Sequence, residues 1–340
     1  MDITVVVTFD LHQELVARIQ SVDPSLRVRA LAAGARATFD GRLPYPIELQ
    51  SRTPRAELEA ALPDAEVLFA PWAGMLREIE LRAAAPLLRW VQLTHAGAEL
   101  VDPSLAREIA FTTAGDISSH WIAEWVLGAM LMSAKGWPQV WRDQLAHRTR
   151  RYAPRELAGS TVGIVGMGAI GTQVARLAKG LGCRVIGMRR SFTARGPDAL
   201  ADEGVPPSDL PYLLSASDYV VLSAPLTAET HHLIDAAALR SMRPDGVLIN
   251  VGRGALIDEP ALAEALRVGT IAGAVLDVFT QEPLPAESPL WDIDTVMLAP
   301  HVAGGSEHYY ERATEVFCAN LRRYLRGEPL LNQVEAGRGY

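Results

Sequence analysis

The sequence contains few cysteines, no long apolar run and no surplus of basic residues. Its two cysteines, Cys183 and Cys318, are too few for a disulfide framework or a zinc site, as is typical of the reducing cytoplasm. The formal net charge of −8 argues against a nucleic-acid surface. No stretch is long and apolar enough to span a bilayer, and residues 1–10 lack the features of a signal peptide. We therefore expect a cytoplasmic protein with no metal site and no membrane or nucleic-acid partner.

The length and the pattern of the chain favour two α/β domains. At 340 residues the chain is too long for one small core. Apolar segments with strand character alternate with helical patterns along most of it, as in proteins built on parallel sheets. We predict that residues 1–108 and 303–340 form one domain, and that residues 109–302 form a second domain inserted into the first.

The clearest motif is TVGIVGMGAIG at residues 161–171. An apolar run with strand character leads into three glycines, and an Ala-rich helical segment follows. Gly166 permits a tight turn, Gly168 lets a phosphate approach the backbone, and Gly171 lets the helix pack closely on the strand, while the helix N-terminus supplies N–H groups. We expect a dinucleotide here; the alternative is a glycine-rich turn of another α/β protein. The residues predicted to contact the dinucleotide in this turn are Gly166, Gly168, Ala169 and Ile170.

Three polar residues follow predicted strands in the second half of the chain. Arg253 and His301 come directly after strand ends, where open α/β sheets keep their ligand groups. A guanidinium can bind a carboxylate and polarise a keto oxygen, and an imidazole with a pKa near 6.5 can give and take a proton. Glu282, in QEPLP, can hold an imidazole in its charged form. The ordinary alternatives are a surface-turn arginine, a core histidine and a charged loop residue.

These residues stand in motifs that resemble those of the D-isomer-specific 2-hydroxyacid dehydrogenases. The motifs are GIVGMGAIG, NVGRGALID, VLDVFTQEPLP and APHVAG, with QLTHAGAELVD as a looser fifth. The resemblance implies an α/β fold of two doubly wound parallel-sheet lobes. In it a Rossmann-type nucleotide domain is inserted into a flavodoxin-like catalytic (substrate) domain. It also implies that Arg253, Glu282 and His301 form the catalytic triad of an NAD(P)-dependent enzyme.

The resemblance also assigns much of the cofactor path. Asp277 matches the position that contacts the nicotinamide carboxamide; the alternative for it is a strand-end cap. Ala224, Pro225 and Thr230 match the loop over the adenosine and nicotinamide side. Val251 follows the fourth strand of the nucleotide domain and is expected to act through its backbone.

The end of the second strand of that domain indicates which cofactor is used. An NAD enzyme of this fold places Asp or Glu there to hold the ribose 2′-hydroxyl. Here the strand CRVIGM runs into Arg189, Arg190 and Ser191, which suit a 2′-phosphate. We therefore expect NADP(H). The alternative is NAD(H), with the arginines incidental on the surface.

The substrate segment departs from the family. His95, Ala96 and Gly97 lie where backbone N–H groups are expected to bind a carboxylate, but His95 replaces a glycine of the relatives and either touches substrate or fills space. Trp72 either walls the pocket or packs within its loop. We predict an NAD(P)H-dependent reductase of small 2-keto acids to D-2-hydroxy acids, of the glyoxylate or hydroxypyruvate type. The alternative is a corepressor-like dinucleotide sensor without significant turnover.

An apolar helix and the arm after it predict a homodimer. Residues 118–135 read as a helix that is apolar on most sides, which is typical of a helix buried in the fold or against another subunit. The following arm carries Trp137, Trp141 and several arginines, a composition suited to embracing a partner. The alternative is a surface loop with half-buried tryptophans.

Overall fold

The computed structural model describes residues 2–31, 54–71, 73–76, 79–97 and 101–335. The chain divides into two compact units: unit 1 is Met1–Ile117 with Glu307–Tyr340, and unit 2 is Ser118–Ser306. The sequence-based boundaries at 108/109 and 302/303 fall before these, and the strand at residues 110–112 pairs with the sheet of unit 1. Unit 2 is thus inserted between two segments of unit 1.

Unit 1 has a flavodoxin-like sheet. Its described residues form five parallel strands in the order β2-β1-β3-β4-β5. The strands are β1 (Ile3–Val7), β2 (Leu26–Ala30), β3 (Val67–Ala70), β4 (Trp90–Leu93) and β5 (Ala110–Thr112). The helices are α1 (Gln13–Gln20), α2 (Arg55–Ala61), α3 (Leu81–Ala84) and, from the end of the chain, α10 (Tyr309–Leu325).

The last helix is tied to unit 1 by aromatic packing. Phe317 of α10 stacks on Phe69 of β3 with ring centroids 4.4 Å apart, and on Trp90 of β4 at 5.2 Å. All three side chains are fully buried. Burying such large apolar surfaces stabilises the unit by roughly 2 kcal/mol for each side chain. The apolar side chains of α10 therefore face the core of the first unit.

Unit 2 has a Rossmann-type sheet. Seven parallel strands run in the order β12-β11-β10-β9-β6-β7-β8, so the order reverses between β6 and β9. The strands are β6 (Thr161–Val165), β7 (Arg184–Met188), β8 (Glu203–Val205), β9 (Tyr219–Leu222), β10 (Val247–Asn250), β11 (Gly273–Leu276) and β12 (Val296–Leu298). The helices are α4 (Ser119–Ala134), α5 (Trp137–Leu145), α6 (Ala169–Gly180), α7 (Leu210–Ala216), α8 (Ala236–Ser241) and α9 (Glu259–Arg267). The predicted fold class is confirmed.

The apolar helix predicted at residues 118–135 is α4, which packs on α6. The arm that follows begins as a second helix, α5, after Gly136 takes a left-handed conformation with φ of 64°. Of the helices in the described ranges, none is both long and apolar enough to cross a membrane.

Candidate active site

Three adjacent strands of unit 2 bring the predicted catalytic residues to one edge of the sheet. β10 pairs with β11, and β11 pairs with β12, all in parallel, so the three strands end side by side. Arg253 follows β10, Glu282 follows β11 and His301 follows β12. The carboxyl ends of parallel strands are where open α/β sheets bind ligands. Register alone therefore places the three residues in neighbouring loops.

The turn that carries Arg253 is held by a buried amide. Asn250, the last residue of β10, is fully buried; its Oδ1 accepts from the N–H of Gly252 at 3.0 Å, and its Nδ2 donates to the carbonyl of Arg253 at 2.9 Å. The Arg253 Nη1 donates to the carbonyl of Gly252 at 2.8 Å. Asn250 was not among the predicted site residues, although an amide at the end of the apolar strand VLIN must find partners when buried.

The loop after β10 lies directly against the loop after β11. A Cβ on Gly254 would lie 1.9 Å from the carbonyl carbon of Phe279, so no residue with a side chain fits there. The N–H of Phe279 in turn donates to Glu282 Oε1 at 3.0 Å. The glycine next to Arg253 thus allows the close approach that also positions the glutamate.

Glu282 and His301 form a hydrogen-bonded pair. His301 Nδ1 lies 2.7 Å from Glu282 Oε2. This hydrogen bond raises the pKa of His301, although burial opposes it. Burial alone would raise the pKa of Glu282, but the hydrogen bonds from His301 and Phe279 and the charges of His301 and Arg253 bring it below its ordinary value. The pair therefore favours an imidazolium beside a carboxylate, with His301 Nε2 as the remaining nitrogen.

Asp277 holds the chain around His301. Its carboxylate is 2% exposed; Oδ1 accepts from the N–H of Val302 at 2.7 Å, and Oδ2 accepts from the N–H of Ala303 at 3.0 Å. Its main-chain carbonyl accepts from the N–H of His301 at 2.8 Å. Burial raises the pKa of Asp277, and the two backbone hydrogen bonds partly offset that rise. The structure gives its carboxylate a clamping role, and the predicted contact with nicotinamide stays a prediction.

The glycine turn after β6 has the shape of a dinucleotide cradle. Gly166 has φ of 106°, and a Cβ on it would lie 2.6 Å from the N of Ala224. A Cβ on Gly171 would lie 2.1 Å from the carbonyl oxygen of Gly166, so the helix and the turn are in close contact. Nothing lies within 4 Å of a Cβ on Gly168, which begins α6 without a side-chain cap. Uncapped N–H groups at a helix start, with open space before them, fit a pyrophosphate.

Arg189 lies against this turn at the end of β7. The carbonyl of Met188 accepts from the N–H groups of Gly166 and Met167, both at 3.0 Å. The Arg189 guanidinium lies 4.3 Å from the centroid of the Phe192 ring, and its Nη2 is 3.5 Å from Asp198 Oδ2. Its Nε is buried and has no hydrogen-bond partner among the described residues. A buried donor of this kind fits an anionic ligand group.

The other predicted cofactor residues lie in the loops after β7, β9 and β10. Arg190 and Ser191 are exposed. The Thr230 hydroxyl donates to the carbonyl of Pro225 at 2.8 Å, which closes the loop that Ala224 begins. Val251 is buried, and its N–H donates to the carbonyl of Leu222 at 3.1 Å.

The predicted substrate residues belong to unit 1. His95, Ala96 and Gly97 follow β4, and the carbonyl of His95 accepts from the N–H of Ala114 at 3.1 Å. Trp72 lies outside the described residues, so its predicted role stays a prediction. Within the ranges that the structure describes, no three His, Cys, Asp or Glu side chains are grouped so as to hold a metal ion.

The chain is similar to known oxidoreductases in sequence and in structure. A family model described as the NAD binding domain of D-isomer specific 2-hydroxyacid dehydrogenases matches residues 127–303. A glyoxylate reductase of Korarchaeum cryptofilum is 36% identical over 265 residues, which are 74% of this chain and 77% of that protein.

Two solved structures are similar over the whole chain. A D-isomer specific 2-hydroxyacid dehydrogenase of Xanthobacter autotrophicus, in complex with NADPH and MES, is 31% identical with a TM-score of 0.75, and all of both chains is covered. An NADPH-dependent glyoxylate/hydroxypyruvate reductase of Sinorhizobium meliloti, in complex with NADP and sulfate, is 27% identical with a TM-score of 0.77. That match covers 99% of this chain and 100% of the other.

Proposed function

Because the chain belongs to the D-isomer-specific 2-hydroxyacid dehydrogenase family, we propose that it reduces small 2-keto acids of the glyoxylate or hydroxypyruvate type to D-2-hydroxy acids, with NADPH as the preferred reductant. The observation that carries this proposal is the 2.7 Å hydrogen bond between Glu282, in the loop next to that of Arg253, and His301, in the loop after β12. The names of the Korarchaeum and Sinorhizobium relatives support the choice of substrate.

The three residues divide the work of reducing a keto group. The Arg253 guanidinium binds the substrate carboxylate and draws electron density towards the keto oxygen. Bound NADPH supplies the hydride that the carbonyl carbon accepts. His301 donates its Nε2 proton to the oxygen, and Glu282 stabilises the imidazolium before that transfer. Hydride and proton together convert the keto acid to the hydroxy acid, and His301 is reprotonated from solvent.

The preference for NADPH is supported by the end of β7. Arg189 places a guanidinium next to the phosphate cradle, and its buried Nε has no hydrogen-bond partner among the described residues. Arg190 and Ser191 follow on the surface. A 2′-phosphate carries the charge and the acceptor oxygens that such a group binds best. The Xanthobacter relative was solved with NADPH, in agreement with this choice.

The segment His95–Ala96–Gly97 is proposed to bind the substrate carboxylate through backbone N–H groups. It follows directly from the end of β4, at the carboxyl edge of a parallel sheet. Backbone donors bind an anion whatever the side chains are, so the replacement of a glycine by His95 is compatible with this role.

A homodimer that uses α5 is part of the proposal. Trp137, Trp141 and Leu145 recur at four-residue spacing on one face of α5 and are 60%, 64% and 74% exposed. Large apolar side chains grouped in this way mark interaction surfaces. Asp143, on the same helix but buried, accepts from the Arg150 Nη2 at 2.8 Å and so fastens the following arm to α5. Sedimentation should give a dimer, and Trp141→Glu should give a monomer.

The first experiment is a comparison of reductants and substrates. The loss of NADPH or NADH absorbance is followed with glyoxylate, hydroxypyruvate, pyruvate and bulkier 2-keto acids. Turnover with NADPH well above that with NADH supports both the reductase and the role of Arg189. Preference for NADH would retain the reductase and remove that role. Tight cofactor binding without turnover of any keto acid would favour a dinucleotide sensor instead.

A further inference from the structure

A partly buried tyrosine is bonded to the start of the proposed carboxylate-binding segment. Tyr309, the first residue of α10, donates its hydroxyl to the main-chain carbonyl of Thr94 at 2.8 Å and lies 3.3 Å from Thr94 Oγ1. Thr94 immediately precedes His95 and is 2% exposed. Nothing in the sequence motifs pointed to this contact, because the two residues lie 215 positions apart.

Thr94 joins three parts of unit 1. Its N–H donates to the carbonyl of Ala70, the last residue of β3, at 3.0 Å, and its hydroxyl donates to the carbonyl of Pro71 at 3.0 Å. These two bonds tie the loop after β4 to the last residue of β3 and to the residue that follows it. Among the described residues, the bond from Tyr309 is the one that reaches Thr94 from α10 and the one that engages its carbonyl.

The carbonyl of Thr94 and the N–H of His95 belong to the same peptide group. A trans peptide is planar, and its C=O and N–H point in opposite directions. A donor that holds the carbonyl therefore also fixes the direction of the N–H that begins the 95–97 segment. A hydrogen bond to the carbonyl further polarises the whole peptide, which strengthens that N–H as a donor.

We propose that Tyr309 is a positioning residue for substrate: it sets the orientation of the Thr94–His95 peptide, and through it the affinity of the 95–97 segment for the carboxylate of the 2-keto acid. This inference rests on the proposed function, because it concerns the same substrate. Tyr309 acts through the backbone and is not itself in contact with the reacting atoms.

The hydroxyl of Tyr309 is a dependable donor. Burial raises its pKa to about 12, so it stays protonated over the whole range in which the enzyme can be assayed. The ring of Tyr309 meets that of Tyr310 edge-on, with centroids 5.3 Å apart. Tyr310 stacks on Phe9 at 5.3 Å and provides a matched control, one residue further along the same helix.

The test compares Tyr309→Phe with Tyr310→Phe, each of which removes one hydroxyl and keeps the ring and its packing. Loss of one partly buried hydrogen bond corresponds to about a tenfold change in an equilibrium. We expect Tyr309→Phe to raise the KM for glyoxylate about tenfold, with kcat and the Kd for NADPH changed by less than about twofold. Tyr310→Phe should leave the KM near that of the unsubstituted protein. An unchanged KM in Tyr309→Phe, or equal changes in both variants, would overturn the inference.

A binding measurement separates failure of this inference from failure of the proposed function. Oxalate, a dicarboxylate close in size to glyoxylate, is titrated calorimetrically into the NADPH-loaded protein and into both variants. If the protein reduces no keto acid but binds oxalate, and only Tyr309→Phe weakens that binding about tenfold, the positioning role stands without the proposed reaction. Oxalate binding that is equal in all three proteins, or absent from all three, would overturn the positioning role.

Discussion

The carboxyl edge of the parallel sheet in unit 2 has two parts, a first edge after β10, β11 and β12 and a second edge after β7, and they differ in how their charged side chains are held. After β10, β11 and β12, each polar group has protein partners: Asn250 fixes the turn of Arg253, Glu282 bonds to His301, and Asp277 clamps the next two residues. After β7, Arg189 is held only by a 3.5 Å ion pair and an aromatic face, and its Nε lacks a partner in the described part of the chain.

Under the proposed function, this difference separates groups that would take part in the reaction from groups that would select the cofactor. A proton donor must be in place before the substrate arrives, since reorganisation during the reaction adds to the barrier. A guanidinium that recognises a phosphate gains its best partner only when the ligand binds, so it remains incompletely bonded until then. Substitutions at the first edge should therefore affect kcat, and substitutions at the second should affect cofactor affinity.

The largest effect is expected at His301. His301→Asn removes the proton donor and suits the backbone, because His301 has φ of 55° and Asn tolerates that conformation. General acid catalysis contributes about 10²- to 10⁴-fold, so kcat for glyoxylate should fall by about 10³-fold while the Kd for NADPH stays within about twofold. Stopped-flow turnover and fluorescence titration measure the two quantities. A variant with near-normal kcat would remove the distinction between the two edges.

Arg189 should show the opposite pattern. A hydrogen bond to a charged group contributes about 1.5–3 kcal/mol, so Arg189→Ala should weaken NADPH binding about 10- to 100-fold and leave NADH binding and kcat nearly unchanged. Arg195→Ala is the control: Arg195 also lies over an aromatic ring, that of Tyr212, at 3.7 Å, and pairs with Asp209. Equal losses for NADPH and NADH would mean that Arg189 does not contact the 2′-phosphate.

The fold could be predicted from the sequence where a local residue pattern identifies an element and the α/β order then places it. The glycine turn was predicted between a strand and a helix, and it lies between β6 and α6. Parallel pairing then brought three strand ends together, as the α/β pattern requires. By contrast β8, the three-residue edge strand EGV, has no apolar run or alternation and was not predicted.

The sequence pattern over residues 75–85 predicts one helix, and the structure shows this prediction to be wrong in extent. The described residues there form a 3₁₀ turn at Ala73–Leu76 and the four-residue helix Leu81–Ala84. Leu76, Ile79 and Leu81 are all buried in one core. A continuous helix would place Leu81 on the side away from Ile79, because each residue advances by 100°. Burial of all three therefore requires a break that composition does not reveal.

The contacts that complete the site could not be predicted from the sequence, for a different reason. The Gly254–Phe279 approach depends on how neighbouring loops pack, and the Asp277 clamp depends on residues 25 and 26 positions away. Residue types at strand ends indicate which chemistry is available. They do not indicate which side chain reacts and which one holds the backbone.

A substitution of Glu282 tests the coupling between Glu282 and His301 at the first edge. Because the pKa of His301 is raised above 6.5, the ring should keep its proton to higher pH than an ordinary histidine, and reduction should slow only as the pH rises through that raised value. Glu282→Gln removes the charge that raises it, so the falling limb of kcat against pH should move to lower pH. At pH 7 we expect a loss of about tenfold. A limb that moves to higher pH would contradict the arrangement.

The smallest effect is expected at Arg190. Comparing it with Arg189 tests whether the two arginines of the second edge act in different ways. Arg190 is exposed, whereas the Nε of Arg189 is buried. Exposed charges contribute little and are screened by salt, with a Debye length of about 10 Å at 0.1 M and about 3 Å at 1 M. Arg190→Ala should therefore weaken NADPH binding by only about two- to fivefold at low ionic strength, and the difference should vanish near 1 M salt. The loss in Arg189→Ala should persist at that salt concentration, because a buried donor is shielded from the solvent ions that screen its neighbour. If both losses vanish with salt, the two arginines act as a diffuse charge, and the preference for NADPH does not depend on a specific contact.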